Sequence, residues 1–357
     1  MDIGLITIFD SNNYGNKLQN FAAVKIIESF GLNPYTLIIH KQNNIIKTKI
    51  KMLINMLTGY RLSKNQYSWK RFIRFRQFDK KYLNQSQLLV KGKLKSDNFD
   101  YFIIGSDQVW NPTWYKYDPI RKNAFLLTFA RPEQKICMAP SFGISELPEE
   151  WKVYFKECLN TFPMLSVREE DGAKIIKELT GRDAEVVIDP TLMLDSSEWR
   201  KIEKKPKLNI EKPYIVKCFL GNQTQNNYIK TIADKNGLEI IDVLDKSNSI
   251  YAHCGPHEFL YLIDHAELVC TDSFHATVFS ILFKKPFLEF YRHIDGEAAM
   301  NSRIDTLLKK LCLEDRLPGN VSDEDIFKCD YSKAYELLET ERKKSYDFLK
   351  KSFHITE

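Results

Sequence analysis

The chain has 357 residues, 43% of them hydrophobic and 28% charged, with a net charge of +5. That length exceeds the usual single-core range of about 250–300 residues and predicts two domains sharing a cleft, while so small a charge excess argues against wholesale nucleic-acid binding. Seven cysteines, odd in number and never in a C-x-x-C pair, argue against a disulfide framework and a zinc site and point to a reducing cytoplasm. Asp2 stands where a signal peptide wants a base, and no segment approaches the roughly 20 apolar residues of a membrane helix.

In chain order, short apolar runs rich in β-branched residues predict strands at Ile3–Phe9, Tyr35–Ile39, Tyr101–Ile104, Lys135–Ala139, Met164–Val167 and Val186–Ile188. Helical patterns such as Lys17–Ser29 and Asp171–Leu179 separate them, and such βα alternation predicts a parallel sheet. A charged stretch with two prolines, 200–213, reads as a linker. Strands are predicted again at Tyr214–Leu220, Glu239–Val243, Leu268–Thr271 and Phe287–Phe290. The expected layout is an N-terminal α/β domain (1–199), the linker, a C-terminal α/β domain (214–330), and an amphipathic helix within 331–357 packing back on the first domain.

In open α/β sheets ligands bind beyond the carboxyl ends of strands, and four such ends here are rich in chemistry. The first, Asp10 to Gln19, offers Asn13, Tyr14 and Asn16 around Gly15 and suits a sugar or an anion; it has no phosphate-loop or dinucleotide pattern, and its asparagines also fit a turn and cap. The second, Gly105 to Pro112, sets Asp107, Gln108 and Trp110 in one turn, the groups that carbohydrate sites use, although Asp107 also fits a helix cap beside a core Trp110. Trp114 and Tyr115 follow closely. At the third, Arg168 suits a bidentate contact to phosphate or carboxylate, or an ion pair with Glu169 or Glu170.

The fourth, Leu268 to Thr277, runs an apolar strand through Asp272 and Ser273 into a helix, aiming free N–H groups at an anion with His275 beside it as a proton carrier. A Ser273 cap and a His275 bonded to a neighbouring carbonyl is the plainer alternative. Arg303 near a helix start is disfavoured unless an anion offsets it, Arg292 lies close before it, and Arg316 reads as structural.

The segment 41–81 is a local excess of cations, including Lys47, Lys49, Lys51, Arg61, Lys64, Lys70, Arg71, Arg74, Arg76 and Lys80, against the single acid Asp79. Alternating with aromatic and aliphatic residues, they predict basic amphipathic helices, either a solvated insertion over the first sheet or a surface for an anionic membrane leaflet.

Together the motifs resemble the polysaccharide pyruvyl transferase family. The resemblance rests on Asn13-Tyr14-Gly15-Asn16-x-Leu18-Gln19, Gly105 to Asn111, Ser141-Phe142-Gly143, Ser166 to Glu169, Asp189-Pro190-Thr191-Leu192, Thr271 to His275 and Ser302-Arg303-Ile304, in family order. Ala276 departs from the glycine usual after the histidine. The resemblance implies two Rossmann-like domains facing a central cleft, like the GT-B glycosyltransferases, with the acceptor on the N-terminal side. It also implies transfer of a pyruvyl group from phosphoenolpyruvate, as co-substrate, to two hydroxyls of a sugar in a surface glycan or its precursor, forming a ketal, with a sugar or a lipid-linked oligosaccharide as the acceptor partner. No metal need be invoked. On this view His275 is the general acid and Asp107 orients or deprotonates the acceptor. Arg168, Arg303, Arg292, Ser273 and Thr277 hold the donor; Asn13, Tyr14, Asn16, Gln108 and Trp110 face the acceptor. A nucleotide-sugar glycosyltransferase of the same architecture and a non-catalytic glycan-binding protein are the competing expectations.

Overall fold

The structure is a computed structural model describing residues 1–9, 12–39, 62–90, 93–94, 98–114, 116, 118–222, 225–293 and 301–355. Strands β1 (Asp2–Ile6), β2 (Asn33–Ile38) and β3 (Gln85–Gln87) are followed by a short antiparallel hairpin of β4 (Leu89–Val90) and β5 (Lys93–Leu94), then by β6 (Tyr101–Ile104) and β7 (Lys135–Cys137). The first sheet has the order β3-β2-β1-β6-β7 with every pairing parallel, Leu5 lying opposite Thr36 and Ile103. β8 (Ser166–Val167) and β9 (Glu185–Val186) form a small parallel pair. The second sheet, again all parallel, has the order β11-β10-β12-β13, from β10 (Tyr214–Cys218), β11 (Glu239–Asp242), β12 (Leu268–Thr271) and β13 (Phe287–Glu289).

Central strands read as unbroken apolar runs because helices cover both faces: Ile3, Leu5, Phe102, Ile103, Val269 and Cys270 are all fully buried. The result is two Rossmann-like α/β units facing a central cleft, a GT-B-like arrangement, as the βα alternation predicts. The predicted strands β1, β2, β7, β9, β10, β11 and β13 end one to three residues early, because the ladder stops while the chain is still largely apolar. β3 escaped prediction because Gln85-Ser86-Gln87 has no apolar run; it is an edge strand held by its neighbour. No helix among the described residues is long and apolar enough to cross a membrane.

The units share one core. Tyr14 stacks on Phe259 at 4.2 Å, and Trp199 bridges Phe21 (5.3 Å) and Phe279 (4.9 Å). The closing helix Ser332–Ser352 lies over the turn at Pro190–Met193, Arg342 donating to the Leu192 and Leu194 carbonyls at 2.7 and 2.9 Å. Beyond it Phe353 meets Phe30 and Tyr101.

Of the basic segment, residues 41–61 lie outside the described residues, with Lys47, Lys49, Lys51 and Arg61 among them. The rest centres on the helix Leu62–Tyr82, which packs on the helix Ser249–His253 of the second unit. Arg71, expected among solvated cations, is fully buried there. It donates to the Cys254 and Asn12 carbonyls, both at 3.0 Å, and to the Tyr14 hydroxyl, with the rings of Tyr14 and Tyr251 against its guanidinium at 4.2 and 4.4 Å.

Candidate active site

The second unit contributes the end of β12. Thr271 Oγ1 donates to the Cys218 carbonyl at 2.7 Å and accepts from Ser273 N–H at 2.9 Å, fixing the turn. Asp272 accepts from the N–H groups of Leu220 and Gly221 at 2.6 and 2.8 Å, drawing the loop after β10 alongside. Arg292 reaches back to the Asp272 carbonyl at 3.0 Å. Ser273 starts the helix Phe274–Leu282 without a side-chain cap bond and lines the cleft. His275 stands in the first turn, buried.

The first unit contributes a buried lattice of charge at the ends of β6, β8 and β9. Asp189 accepts from Ser106 Oγ and Arg168 Nη1, both at 2.6 Å, through one oxygen, and from Thr191 N–H (2.9 Å) and Thr191 Oγ1 (2.6 Å) through the other. The second oxygen lies 3.8 Å from His275 Nε2. Asp107 holds the Gln108 N–H at 2.9 Å and the Asn16 amide, with Arg168 and Arg303 at 3.6 and 3.7 Å. Its φ of 74° is unusual for a non-glycine residue, and a bridge to Pro140 holds it there.

Burial would raise the pKa of Asp107, but Arg168, His275 and Arg303 outweigh it and hold the carboxyl below its ordinary value. Asp189, likewise opposed by burial, is held well down by His275, Arg168 and its hydrogen bonds. Burial depresses His275, and the nearby carboxylates of Asp189 and Asp107 only partly offset that and the repulsion of Arg168 and Arg303, so the imidazole is mainly neutral at pH 7 in the free protein. Burial and Arg168 press Arg303 down to about 9, leaving it cationic at neutral pH. Arg168 Nε and Nη2, Arg292 Nε, Arg303 Nε and His275 Nε2 are buried without a hydrogen-bond partner. Of these residues Arg292, Arg303 and His275 line the cavity, and such a cationic lining with unmet donors favours an oxygen-rich anion.

The two units meet closely here. A Cβ at Gly15, in the first turn of the helix Tyr14–Ser29, would collide with the His275 ring, so only glycine allows this approach. Asn13 caps that helix, accepting from Asn16 N–H at 3.2 Å. The cleft holds about 530 Å³ and is lined by Asn13, Asn16, Asp107, Gln108, Ser273 and His275, with Arg292 and Arg303. The rest of its lining is mostly apolar, including Phe9, Ile39, Trp114 and Phe125, with Arg121 as a further cation.

Several expectations from sequence need correcting. Trp110 is fully buried among Phe142 and Phe162, its indole donating to the Phe125 carbonyl at 3.2 Å, because the turn points it into the core. Trp114 lines the cleft instead, donating to Gln108 Oε1 at 3.1 Å; Tyr115 lies outside the described residues. Tyr14 spends its hydroxyl on the Val243 and Cys254 carbonyls, and is a joint between units. Thr277 is enclosed, its hydroxyl shared by the Ser273 carbonyl and Glu289. Arg168 lies behind Phe274, whose ring is 4.3 Å from the guanidinium, and braces Asp189 and Asp107 from outside the cleft lining. Arg316, by contrast, is structural as expected: it is buried and donates to the Lys328 carbonyl at 2.6 Å. Gly15, expected from sequence to permit close approach or a positive φ, gives the close approach, to the His275 ring; Asp189 had no role in that expectation, although an acid following a predicted strand and preceding a proline was a usable signal.

No curated protein matches the sequence. Among solved structures the chain is similar to a functionally uncharacterized protein from Klebsiella pneumoniae subsp. pneumoniae, at 15% identity over 78% of this chain and 98% of that one, TM-score 0.40. It is also similar to UDP-GlcNAc 2-epimerase from Methanocaldococcus jannaschii, at 11% identity over 100% of both chains, TM-score 0.45. A third is UGT89C1 from Arabidopsis thaliana complexed with UDP-L-rhamnose, at 10% identity over 97% of this chain and 98% of that one, TM-score 0.47. The family described as polysaccharide pyruvyl transferase matches residues 13–293, most of the sequence, and the chain belongs to that family.

Proposed function

We propose that the protein transfers the pyruvyl group of phosphoenolpyruvate to two hydroxyls of one sugar in a surface glycan or its precursor, on the cytoplasmic side. The observation that carries this reading is the convergence of Arg292, Arg303 and His275 on one cavity where the two units meet, each with a buried nitrogen that lacks a hydrogen-bond partner. Phosphate and carboxylate oxygens of the donor satisfy them. The incoming negative charge raises the pKa of His275, which therefore takes up a proton as the donor binds. Protonated His275 delivers that proton to C3, the carbon at C2 becomes electrophilic, and one sugar hydroxyl adds there, Asp107 orienting it. The C2–O bond to phosphate then breaks, the phosphate taking the first hydroxyl's proton and leaving as HPO4²⁻, the second hydroxyl closes the ketal, and its proton returns to solvent through His275. Phosphoenolpyruvate and a diol thus yield a ketal and inorganic phosphate, with a methyl group formed from the former methylene.

The test is phosphate release with a panel of glycans, together with mass spectrometry for the ketal. His275→Ala should lose about 10²–10⁴ in turnover while donor binding weakens less. Binding of nucleotide sugars without binding or turnover of phosphoenolpyruvate would overturn the donor assignment.

A further inference from the structure

A second depression, of about 690 Å³, lies between the helix Leu62–Tyr82 and the segment 204–207, and shares no lining residue with the cleft. Lys70, Lys81, Lys204, Lys205 and Lys207 line it, and all five are exposed. Its one lining acid, Glu258, is already taken by Arg74 at 2.5 Å and by the Gly255 N–H at 3.0 Å. Among the described residues none of the five lysines forms an ion pair. The histidines facing the depression register this field. Burial, then Arg74, Lys70 and Lys207, lower the pKa of His253. Burial, with Lys204 and Lys81, lowers His257 to about 4 against the pull of the Ile202 carbonyl.

The same helix presents apolar surface beside these cations. Trp69 is 42% exposed and Ile73 37%, and Trp69 stacks on Phe72 at 5.7 Å. Ile73 and Gln77 also border a shallower groove reaching Arg76 and Lys80, so cationic and apolar groups make one continuous face. A free soluble anion would engage the lysines and leave Trp69 and Ile73 without a role. At a bilayer surface the indole sits at headgroup depth and the ammoniums meet lipid phosphates.

We propose that this face docks the protein on an anionic lipid bilayer, with headgroup phosphates among Lys70, Lys81, Lys204, Lys205 and Lys207 and with Trp69 and Ile73 entering the interfacial layer. Arg71 lies one helical turn, about 5 Å, from Arg74 and holds the Asn12 carbonyl next to the cleft residue Asn13. Docking therefore keeps the cleft near the surface where a lipid-linked acceptor is presented. That last consequence rests on the proposed function; the docking does not.

The test needs neither donor nor acceptor: co-sedimentation of the full chain with vesicles of phosphatidylcholine alone, or with added phosphatidylglycerol, at low and high salt. Binding is expected on the anionic vesicles only, weakened by salt. Lys204→Gln/Lys205→Gln/Lys207→Gln should weaken it about tenfold or more. Trp69→Ser should weaken it severalfold with the salt dependence unchanged. Lys174→Gln/Lys177→Gln/Lys230→Gln, away from this face, should bind as the parent does. All these positions are exposed, and unfolding midpoints confirm that each variant is folded. Equal recovery on neutral and anionic vesicles, or retention by the triple variant of 204, 205 and 207, overturns the proposal. So does displacement from anionic vesicles by a single-stranded oligonucleotide that binds more tightly, the outcome if the face serves a nucleic acid.

Discussion

Replacing Gly15 by alanine tests the contact between the two units directly. The new methyl carbon would lie 2.6 Å from Cγ and 2.8 Å from Cε1 of His275, inside any tolerable separation. The backbone itself accepts alanine, because φ at this position is not positive. On helix propensity alone the change should stabilise by about 0.5–1 kcal/mol. Overpacking against a buried ring costs about 1–3 kcal/mol, so the net expectation is a loss of up to about 2.5 kcal/mol. Moving His275 by about 1 Å should also reduce turnover by up to about 10²-fold. Urea unfolding of the parent, Gly15→Ala, His275→Ala and the double variant closes the cycle. With the ring gone, Gly15→Ala should become neutral or stabilising, a coupling of about 1–3 kcal/mol. If it costs as much in the His275→Ala background as in the parent, to within about 0.5 kcal/mol, the contact is not what makes glycine necessary.

Arg168→Ala should destabilise by about 3–5 kcal/mol in denaturant titrations, since it strands Asp189 and Asp107 in the interior. Arg303→Ala should cost stability far less and mainly weaken phosphoenolpyruvate binding, by about 10–100-fold in calorimetry. Trp110→Ala should lose about 3–5 kcal/mol of stability, whereas Trp114→Ala should leave the unfolding midpoint near that of the parent and raise the acceptor KM. His257, held at about 4 by burial, contributes stability that is complete above its unfolded value of about 6.5 and is lost as pH falls through 4. That loss amounts to about 3 kcal/mol at most, and His257→Gln should flatten the acid side of the stability profile across this window.

The sheets were legible because a parallel strand buried on both faces is an apolar run in sequence, as at Tyr101–Ile104 and Leu268–Thr271, where prediction and structure coincide. Strand ends were less so, since residues such as Ile8 and Ile39 remain apolar after the ladder has stopped and face the cleft instead. The loops bearing chemistry were visible as polar insertions, which located His275, Asp107 and Arg303. The direction of each side chain was not visible. Trp110 and Trp114 lie four residues apart in one polar turn, and only the fold sends one into the core and the other to the surface of the cavity. Arg168 showed its charge in sequence, but its burial behind Phe274 depends on a residue more than a hundred positions away. Asp189 was quoted within a motif without a role, because its partners Ser106, Arg168 and His275 come together only through tertiary structure.

The guanidinium of Arg71 acts as a pin between the two units. Its hydrogen bonds reach Cys254 in one unit and Asn12 and Tyr14 in the other, and aromatic rings from both enclose it. Swinging the two halves apart there would exchange these charge-assisted hydrogen bonds and ring contacts for water, at a net cost of several kcal/mol. A conformer opposed by that much is populated below about one part in a hundred. Substrates and product must therefore exchange chiefly along the mouth of the cavity, by loop and side-chain motion, and a wide breathing of the whole molecule plays little part in turnover.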